Sequence, residues 1–374
     1  MPKLLKEQAL AWSLMSPALV VLGVFGIFPI GYAFFVSLHR WRIKREAFVG
    51  FTHYGRALGD LSALLALLVG AVGLWLLLSH RRRWLGTVPG RWLLGAGCAA
   101  TGLLGAWGLT GVLEAGDARL FNGFKVTVFY ALGTIPAEVG GALVLASLLF
   151  RALRGKGFFR ILFFLPYVTP MIATAVVFRT IFSPHPSSLA NRFWALLGLD
   201  GQRWLYESRS VVAVVLQGLG VTEYPAWVDG AFPSLALISI IVYNIWVYIG
   251  YDTVILLAGL SAIPRGYFEA AEIDGANAAQ TFRHVTLPLV SPSLFFISLV
   301  AVIGTFKAFN HVYIMRTAGA QNSVDVVSVL IFDRIYEYHN AGYASALALV
   351  LFVVILGLTV VQNRLLGRRV FYGE

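Results

Sequence analysis

The chain has 374 residues, of which 58% are hydrophobic and only 13% are charged, with a mean hydropathy of +0.77. Soluble domains carry about 25% charged residues, so this composition excludes a soluble globular protein and indicates a polytopic membrane protein. The net charge of +11 does not indicate nucleic-acid binding, because the basic residues lie in short clusters between apolar segments. The single cysteine excludes a disulfide framework, and the seven scattered histidines show no metal-ligand spacing.

Apolar segments long enough to cross a bilayer as helices, about 20 residues each, recur along the chain. The first follows Lys3 and Lys6 and is too long for the apolar part of a signal peptide, so we predict an uncleaved membrane helix. We predict an all-α fold with about eight transmembrane helices, at residues 11–38, 61–79, 92–113, 125–150, 161–182, 233–260, 289–310 and 342–362.

The basic clusters predict which side of the membrane each loop occupies. Loops 81–91 and 151–160 and the tail 364–369 are rich in arginine and lie on one side when the spans are counted. The positive-inside rule makes that side cytoplasmic, together with both termini. The basic residues of loop 40–45 fall on the outer side, against the rule. We keep the orientation, because inverting the first helix would reverse every later loop.

A polar island separates two of the later apolar segments. It reads Glu269-Ala270-Ala271-Glu272-Ile273-Asp274-Gly275-Ala276 and continues to Leu287-Pro288. The residues before Gly275 favour a helix, Gly275 is able to end it with a positive φ, and Pro288 is tolerated at the start of the next helix. An ordinary solvated loop between two membrane helices is the alternative interpretation.

This island resembles the signature loop of permease subunits from binding-protein-dependent ABC importers. Local stretches in the order of that family extend the resemblance to its carbohydrate-uptake branch, and specifically to the larger, maltose-permease-like subunit; they include Phe28-Pro29-Ile30, Leu165-Pro166, Leu257-Ala258-Gly259-Leu260 and Gly342-Tyr343-Ala344. The resemblance implies a six-helix permease core. Residues 61–117 have no usual counterpart in the family, so we interpret them as an added transmembrane hairpin.

The resulting division has three parts. Residues 1–60 form the first transmembrane helix and an external loop, and residues 61–117 form the added hairpin. Residues 118–374 form the permease core, with an external insertion at 183–232 and a cytoplasmic coupling loop at 261–288. The insertion is rich in Pro, Ser, Trp and Gly, and its apolar run at 211–220 is too short to span the membrane.

The resemblance also implies partners and a cellular location. The coupling loop would bind a separate ATPase dimer through Glu269, Ala270 and Ala271, while Asp274 and Gly275 shape the turn; for Asp274 a plain helix-end role explains the sequence equally well. A second permease subunit, an external sugar-binding protein and the lipid bilayer complete the assembly, in a bacterial or archaeal plasma membrane. The sequence contains no phosphate-binding loop and no catalytic or metal-binding motif, so we predict a non-enzymatic subunit without cofactor.

Two segments flanking the coupling loop carry the chemistry that a sugar requires. Amide, hydroxyl and aromatic groups recur at helical spacing before the loop and again after it. We predict a substrate site made by Asn244, Tyr248, Tyr251, Thr305, Phe306, Phe309 and Asn310, with helix packing or the membrane interface as the alternative explanation for these aromatics. The largely uncharged set disfavours an ionic substrate, and the resemblance implies a sugar, a di- or oligosaccharide such as maltose or trehalose.

Three charged residues fall within predicted spans, namely Glu138, Asp252 and Lys307. An isolated charge there costs at least about 2.5 kcal/mol, so we expect partners or a water-filled cavity. An ion-coupled secondary transporter is the alternative that would use such carboxylates, but the coupling-loop sequence disfavours it. A permease for another small solute, such as glycerol phosphate, is a second alternative.

Overall fold

The computed structural model describes residues 2–79, 88–150, 155–221 and 223–371. Its only two strands in these ranges form one short antiparallel hairpin, β1 (His39–Trp41) and β2 (Arg45–Phe48), and the rest is almost entirely helical, which confirms the all-α prediction. The α-helices are α1 (Pro2–Leu22), α2 (Phe28–Ser37), α3 (Thr52–Leu58), α4 (Leu61–Ser79), α5 (Val88–Ala115), α6 (Ala118–Phe150), α7 (Lys156–Val168), α8 (Met171–Ile181), α9 (Leu189–Leu196), α10 (Val211–Gly218), α11 (Trp227–Ala231), α12 (Leu235–Ser261), α13 (Arg265–Ile273), α14 (Ala278–Thr281), α15 (Leu287–Leu289), α16 (Ser291–Phe306), α17 (Asn310–Met315), α18 (Val327–Tyr336) and α19 (Ala341–Leu366).

Six helical stretches in the described ranges are long and apolar enough to cross a membrane, and two bent helix pairs bring the number to eight. The six include α1 and α2 as one span, because the π-helical turn Gly23–Ile27 joins them without a break. Apolar side chains on the first span are largely exposed, as expected for a surface that faces lipid. The prediction of about eight transmembrane helices is consistent with this count.

The predicted span 161–182 is not one straight helix. It is divided into α7 and α8, which meet at 94°. Thr169 is extended (φ −69°, ψ 145°), because the proline that follows it disfavours the helical conformation in the residue before it. Pro170 then caps α8, where its missing N–H costs nothing.

The predicted span 289–310 is also broken, at both ends. The chain bends by 65° between the helical stretch Ala278–Leu289 and α16. Pro292 has no N–H to donate to the carbonyl of Pro288, and the Ser291 hydroxyl donates to that carbonyl instead, at 2.6 Å. At the other end α16 stops at Phe306, and Asn310 begins α17. The buried side chain of His311 holds α17 in the core through the Tyr130 hydroxyl, 2.7 Å away, so tertiary packing sets this second break.

The chain divides into two compact units, residues 1–121 with 331–352 and residues 122–330 with 353–374. The arginines at 81–83 and 151, on which the predicted orientation rests in part, lie outside the described residues. The orientation and the three-part division therefore stay predictions.

In the first unit, α4 and α5 pack together closely through glycines. A Cβ atom on Gly108 would lie 2.3 Å from the backbone nitrogen of Leu67, and one on Gly70 would lie 2.5 Å from that of Gly105. Small residues allow this approach of two backbones, which is how membrane helices gain van der Waals contact in the absence of a hydrophobic driving force.

We expect Gly108→Leu to separate α4 from α5, because the new side chain meets backbone that cannot move aside. Overpacking of this kind costs about 1–3 kcal/mol or more. Thermal unfolding of the purified chain, followed by loss of monodisperse protein after heating, measures the effect. Gly102→Leu is the matched control, since a Cβ there meets no atom within 4 Å. Equal unfolding temperatures for the two variants would contradict this packing.

Asp117, in the turn before α6, anchors a polar cluster in the same unit. Its Oδ2 accepts hydrogen bonds from Tyr343 Oη at 2.7 Å and from an Arg334 guanidinium nitrogen at 3.1 Å. Arg56 lies over the Tyr343 ring, 4.7 Å from its centroid. Burial alone would raise the pKa of Asp117, but these hydrogen bonds and that from the Arg119 backbone outweigh it, so the pKa is held below its usual value.

Because the pKa of Asp117 is lower in the folded state than in the unfolded state, its ionised carboxylate stabilises the fold at pH values above the unfolded pKa of about 4. This contribution is lost as the pH falls through the folded pKa. We therefore expect Asp117→Asn to lower the unfolding temperature at pH 7, with the gap to the parent chain closing in acid. Thermal unfolding across a pH series measures it, with Asp200→Asn at an exposed site as control. A gap that is independent of pH would refute the role of the ionised carboxylate.

In the second unit, α12 is the central element. One core cluster surrounds Tyr243 and includes Val312 and Met315 of α17, and another joins Leu256 and Leu260 to Ala142 and Ala146 of α6. The α12 backbone also touches α7, because a Cβ on Gly250 would lie 1.8 Å from the carbonyl oxygen of Phe163.

The segment predicted as an external insertion is an ordered set of short helices, α9 to α11, in the second unit. Asn191 organises it, since its Oδ1 accepts from Trp204 Nε1 at 2.7 Å and from the Gln202 backbone at 2.8 Å. Helix α10 ends at Gly218, which agrees with the prediction that this apolar run is too short to span.

Candidate functional site

The coupling loop contains helix α13, which is followed by a tight turn. Gly275 has φ +75°, so the expected positive φ is confirmed. Asn277 then caps α14 through a reciprocal capping box with Gln280. Two helical pieces joined by a glycine turn are thus encoded by the local sequence.

The two faces of α13 differ. Ala271 is buried, and Phe268 packs against Phe150 of α6 with ring centroids 6.0 Å apart. Glu269, Ala270 and Asp274 are exposed. Ala271 therefore packs inside its own chain, and of the two alanines only Ala270 faces outward.

Large apolar side chains also lie on the exposed side of α13. Ile273 is 86% exposed and Tyr267 is 50% exposed; in the sequence they follow and precede Glu269. Apolar groups held in the open beside a carboxylate are typical of a surface that binds another protein. Neither residue was predicted from the sequence.

A cavity of about 290 Å³ lies within the second unit, between α6, α12, α16 and α17. This volume is at the lower end of the range typical of small-molecule sites, about 300–1,000 Å³. Six of the seven residues predicted for the substrate site line it: Asn244, Tyr248, Tyr251, Thr305, Phe309 and Asn310. The structure therefore brings together residues from both sides of the coupling loop.

Phe306 does not line the cavity. It is 6% exposed and lies at the end of α16, about 100° around the helix from Thr305. Because Thr305 is directed at the cavity, its neighbour Phe306 packs in the interior, and a contact between Phe306 and substrate stays a prediction.

Aromatic groups make up part of the cavity wall. Tyr251 stacks on Tyr167 of α7 with ring centroids 4.3 Å apart, and Tyr248 meets the same ring edge-on at 5.8 Å. Tyr167 does not itself line the cavity but packs against these two rings, and local sequence does not indicate this contact because α7 and α12 are distant in the chain.

The three intramembrane charges identified in the sequence, Glu138, Asp252 and Lys307, all line this cavity. Glu138 accepts a hydrogen bond from Asn244 Nδ2 at 3.1 Å. His311 and Met171 also line the cavity, and neither was singled out in the sequence. Among the residues that the structure describes, no group of three metal-ligating side chains is found.

Comparison with known proteins places this geometry in a family. The family described as "Binding-protein-dependent transport system inner membrane component" matches residues 139–372. The probable ABC transporter permease protein YesP of Bacillus subtilis is 32% identical over 243 residues, 64% of this chain and 70% of that protein. The trehalose/maltose transport system permease protein MalF of Thermococcus litoralis is 25% identical over 358 residues, 95% of this chain and 93% of that protein.

A solved structure has the same fold. The crystal structure of a bacterial ABC transporter involved in the import of the acidic polysaccharide alginate contains a chain with a TM-score of 0.58 and 17% identity, over 98% of both chains. The match to the family covers more than half of the present chain and includes both α13 and the cavity walls from α12, α16 and α17. This protein therefore belongs to the binding-protein-dependent transport system inner membrane components, a family of multi-pass ABC transporter permeases.

Proposed function

We propose that this chain is the permease subunit of an ATP-driven importer that takes up a sugar, specifically a di- or oligosaccharide such as maltose or trehalose. The observation that carries the proposal is the cavity, which collects amide, hydroxyl and aromatic groups from both sides of the coupling loop. A maltose or trehalose substrate is supported by the similarity to the Thermococcus litoralis permease along 95% of the chain.

The chemistry of the wall fits a sugar. Tyr248 and Tyr251 offer ring faces and hydroxyl groups, and Asn310 is an exposed amide at the start of α17. Sugar hydroxyls both donate and accept hydrogen bonds, while their C–H faces pack on aromatic rings. A small, mostly apolar cavity with a few convergent polar groups is the usual form of such a site.

Helix α13 couples ATP hydrolysis to conformational change at the cavity. We propose that an ATPase dimer binds the exposed face formed by Tyr267, Glu269, Ala270 and Ile273, while Asp274 and Gly275 hold the turn. A second permease chain completes the pathway. ATP-driven closure of the dimer moves α13, opens the cavity outward to a docked sugar-binding protein, and hydrolysis returns it inward. This subunit performs no chemistry itself.

This arrangement requires a defined orientation. We propose that both termini and the coupling loop are cytoplasmic, as the basic loops predict. The helical segment containing α9 to α11 then lies outside, on the side from which the binding protein delivers sugar. The chain would be a multi-pass protein of a bacterial or archaeal plasma membrane.

Truncation of the cavity wall tests the proposal. Each hydrogen bond to sugar is worth about 0.5–1.5 kcal/mol, so Tyr251→Ala and Asn310→Ala should each lower apparent affinity for sugar about 2- to 13-fold. Uptake into proteoliposomes containing the complete complex measures this, with sugar-independent ATP hydrolysis expected to stay normal. Phe193→Ala, an exposed truncation on α9, is the control. Normal uptake by both cavity variants at all sugar concentrations would place the substrate elsewhere.

The same vesicles distinguish an ion-coupled transporter. With ATP supplied, we expect uptake to continue after a protonophore and a cation ionophore dissipate the ion gradients. Loss of uptake under these conditions would instead favour coupling through the intramembrane carboxylates. Uptake of glycerol phosphate with no uptake of any sugar would favour the other small-solute alternative.

A further inference from the structure

Two carboxylic acids meet inside the cavity, on different helices. Glu138 of α6 is 3% exposed and Asp252 of α12 is 2% exposed, and their carboxyl groups are in hydrogen-bond contact. Asn244 donates its amide hydrogen to Glu138 Oε2 at 3.1 Å. Two ionised carboxylates in contact would repel each other, so the pair holds at least one proton and carries at most one negative charge.

One oxygen of this pair has no donor. Asp252 Oδ2 is buried and has no hydrogen-bond partner in the described protein, although Asp252 lines the cavity. Buried polar atoms without partners are rare in native proteins, and those that occur require an explanation. A ligand in the cavity that donates a hydrogen bond to Asp252 Oδ2 would explain why this oxygen has no partner within the protein.

The charge of the cavity wall limits which ligands can donate a hydrogen bond to Asp252 Oδ2. Among the residues that the structure describes, Lys307 is the only lysine or arginine that lines the cavity, and its positive charge is enough to balance an acid pair with one negative charge at most. A hydroxyl group of a neutral sugar donates to Asp252 Oδ2 without disturbing this balance. A carboxylate or phosphate group has no hydrogen to donate at neutral pH, and it would add a second negative charge beside the pair.

We propose that the Glu138–Asp252 pair determines specificity in this cavity: it binds a hydroxyl group of a neutral sugar through Asp252 and rejects anionic sugars and sugar phosphates. This inference rests on the proposed function, because it assigns the substrate class of the same cavity. It sets this chain apart from an importer of acidic polysaccharide, although the fold is shared.

Direct binding to the complete permease–ATPase complex in nanodiscs tests the inference. Omitting the external binding protein ensures that only the transport cavity is probed. Calorimetric titration would use neutral probes (maltotriose and trehalose) and anionic probes (trigalacturonate and sn-glycerol 3-phosphate). We expect at least one neutral sugar to bind, and both anions to bind at least about 10-fold more weakly. An anion that binds as tightly as the best neutral sugar would overturn the proposal, whether or not any variant folds.

Two amide variants test the residues themselves. Asp252→Asn keeps the side-chain size but removes the charged acceptor, so we expect the affinity for the neutral sugar to fall about 10- to 100-fold. The double variant E138Q/D252N should in addition narrow the ratio between neutral and anionic affinities by about 10-fold or more. Asp200→Asn, an exposed acid-to-amide change, should alter neither quantity.

The outcomes separate this inference from the proposed function. If a neutral sugar binds but the amide variants retain both its affinity and the rejection of anions, the acid pair does not determine specificity while the sugar site stands. If no sugar binds and no sugar is imported, the proposed function fails and the inference fails with it.

Discussion

Replacing Glu269 by lysine is expected to abolish ATP-driven uptake while leaving the permease inserted in the membrane. Glu269 is exposed on α13, with the exposed side chain of Ile273 one turn further along the same face, so a charge reversal there changes the surface and not the core. Losing one partner of an interfacial charge pair costs about 2–5 kcal/mol, which weakens association about 30-fold or more. Copurification of the ATPase and uptake in the same preparation measure the effect.

Glu223→Lys is the matched control for this charge reversal. It makes the same change at another exposed residue, in the segment predicted to be external, where no ATPase can reach it. We expect normal ATPase copurification and normal uptake for this variant. If Glu269→Lys behaves in the same way as Glu223→Lys, then α13 is not the site of energy coupling.

Gly250→Val is expected to cause the largest structural defect in the second unit. A Cβ at this position would lie 1.8 Å from the carbonyl oxygen of Phe163, so α12 must move away from α7. The displacement carries Tyr251 and Asp252 with it and breaks the stacking of Tyr251 on Tyr167. Overpacking typically costs about 1–3 kcal/mol, and a clash with backbone is at the upper end or beyond it. Yield of monodisperse protein and uptake should both fall sharply.

Gly140→Val provides the comparison for this variant. Both glycines are within long helices, so a β-branched residue has a similar unfavourable effect on helix propensity at either position. A Cβ on Gly140, however, meets no atom within 4 Å. We expect nearly normal yield and uptake for Gly140→Val. A Gly250→Val protein that is equally stable and active would show that α7 and α12 do not touch.

Local sequence was sufficient for features that depend on neighbouring residues. The turn at Gly275 follows from backbone preferences and occurs as predicted. The two segments predicted for the substrate site were selected because amide and aromatic groups at helical spacing place their side chains on one face of a helix. That periodicity selected six residues that line the cavity, whereas Phe306, one position after Thr305, is buried outside the lining.

Features that depend on distant residues were missed. Glu138 accepts a hydrogen bond from Asn244, which is 106 residues away in the sequence, and no local pattern indicates that pairing. The end of α16 is set by packing of His311 against Tyr130, so hydropathy alone extended the span to Asn310. The break at Thr169 and Pro170, by contrast, was available in the sequence as a proline within the predicted span, and its effect on the preceding residue was overlooked.

Protection of one introduced cysteine by the transported sugar tests the central claim most directly. Cys98 is the only cysteine, so Cys98→Ala gives a background without thiols, and Gly304→Cys adds one in the cavity wall where a Cβ has open space. Gly230→Cys, in the segment predicted to be external, is the control. We expect the sugar imported by the complex to slow maleimide labelling at residue 304 and to leave the rate at residue 230 unchanged. Unchanged labelling at residue 304 under saturating sugar, in a complex that still imports it, would contradict a sugar site in this cavity.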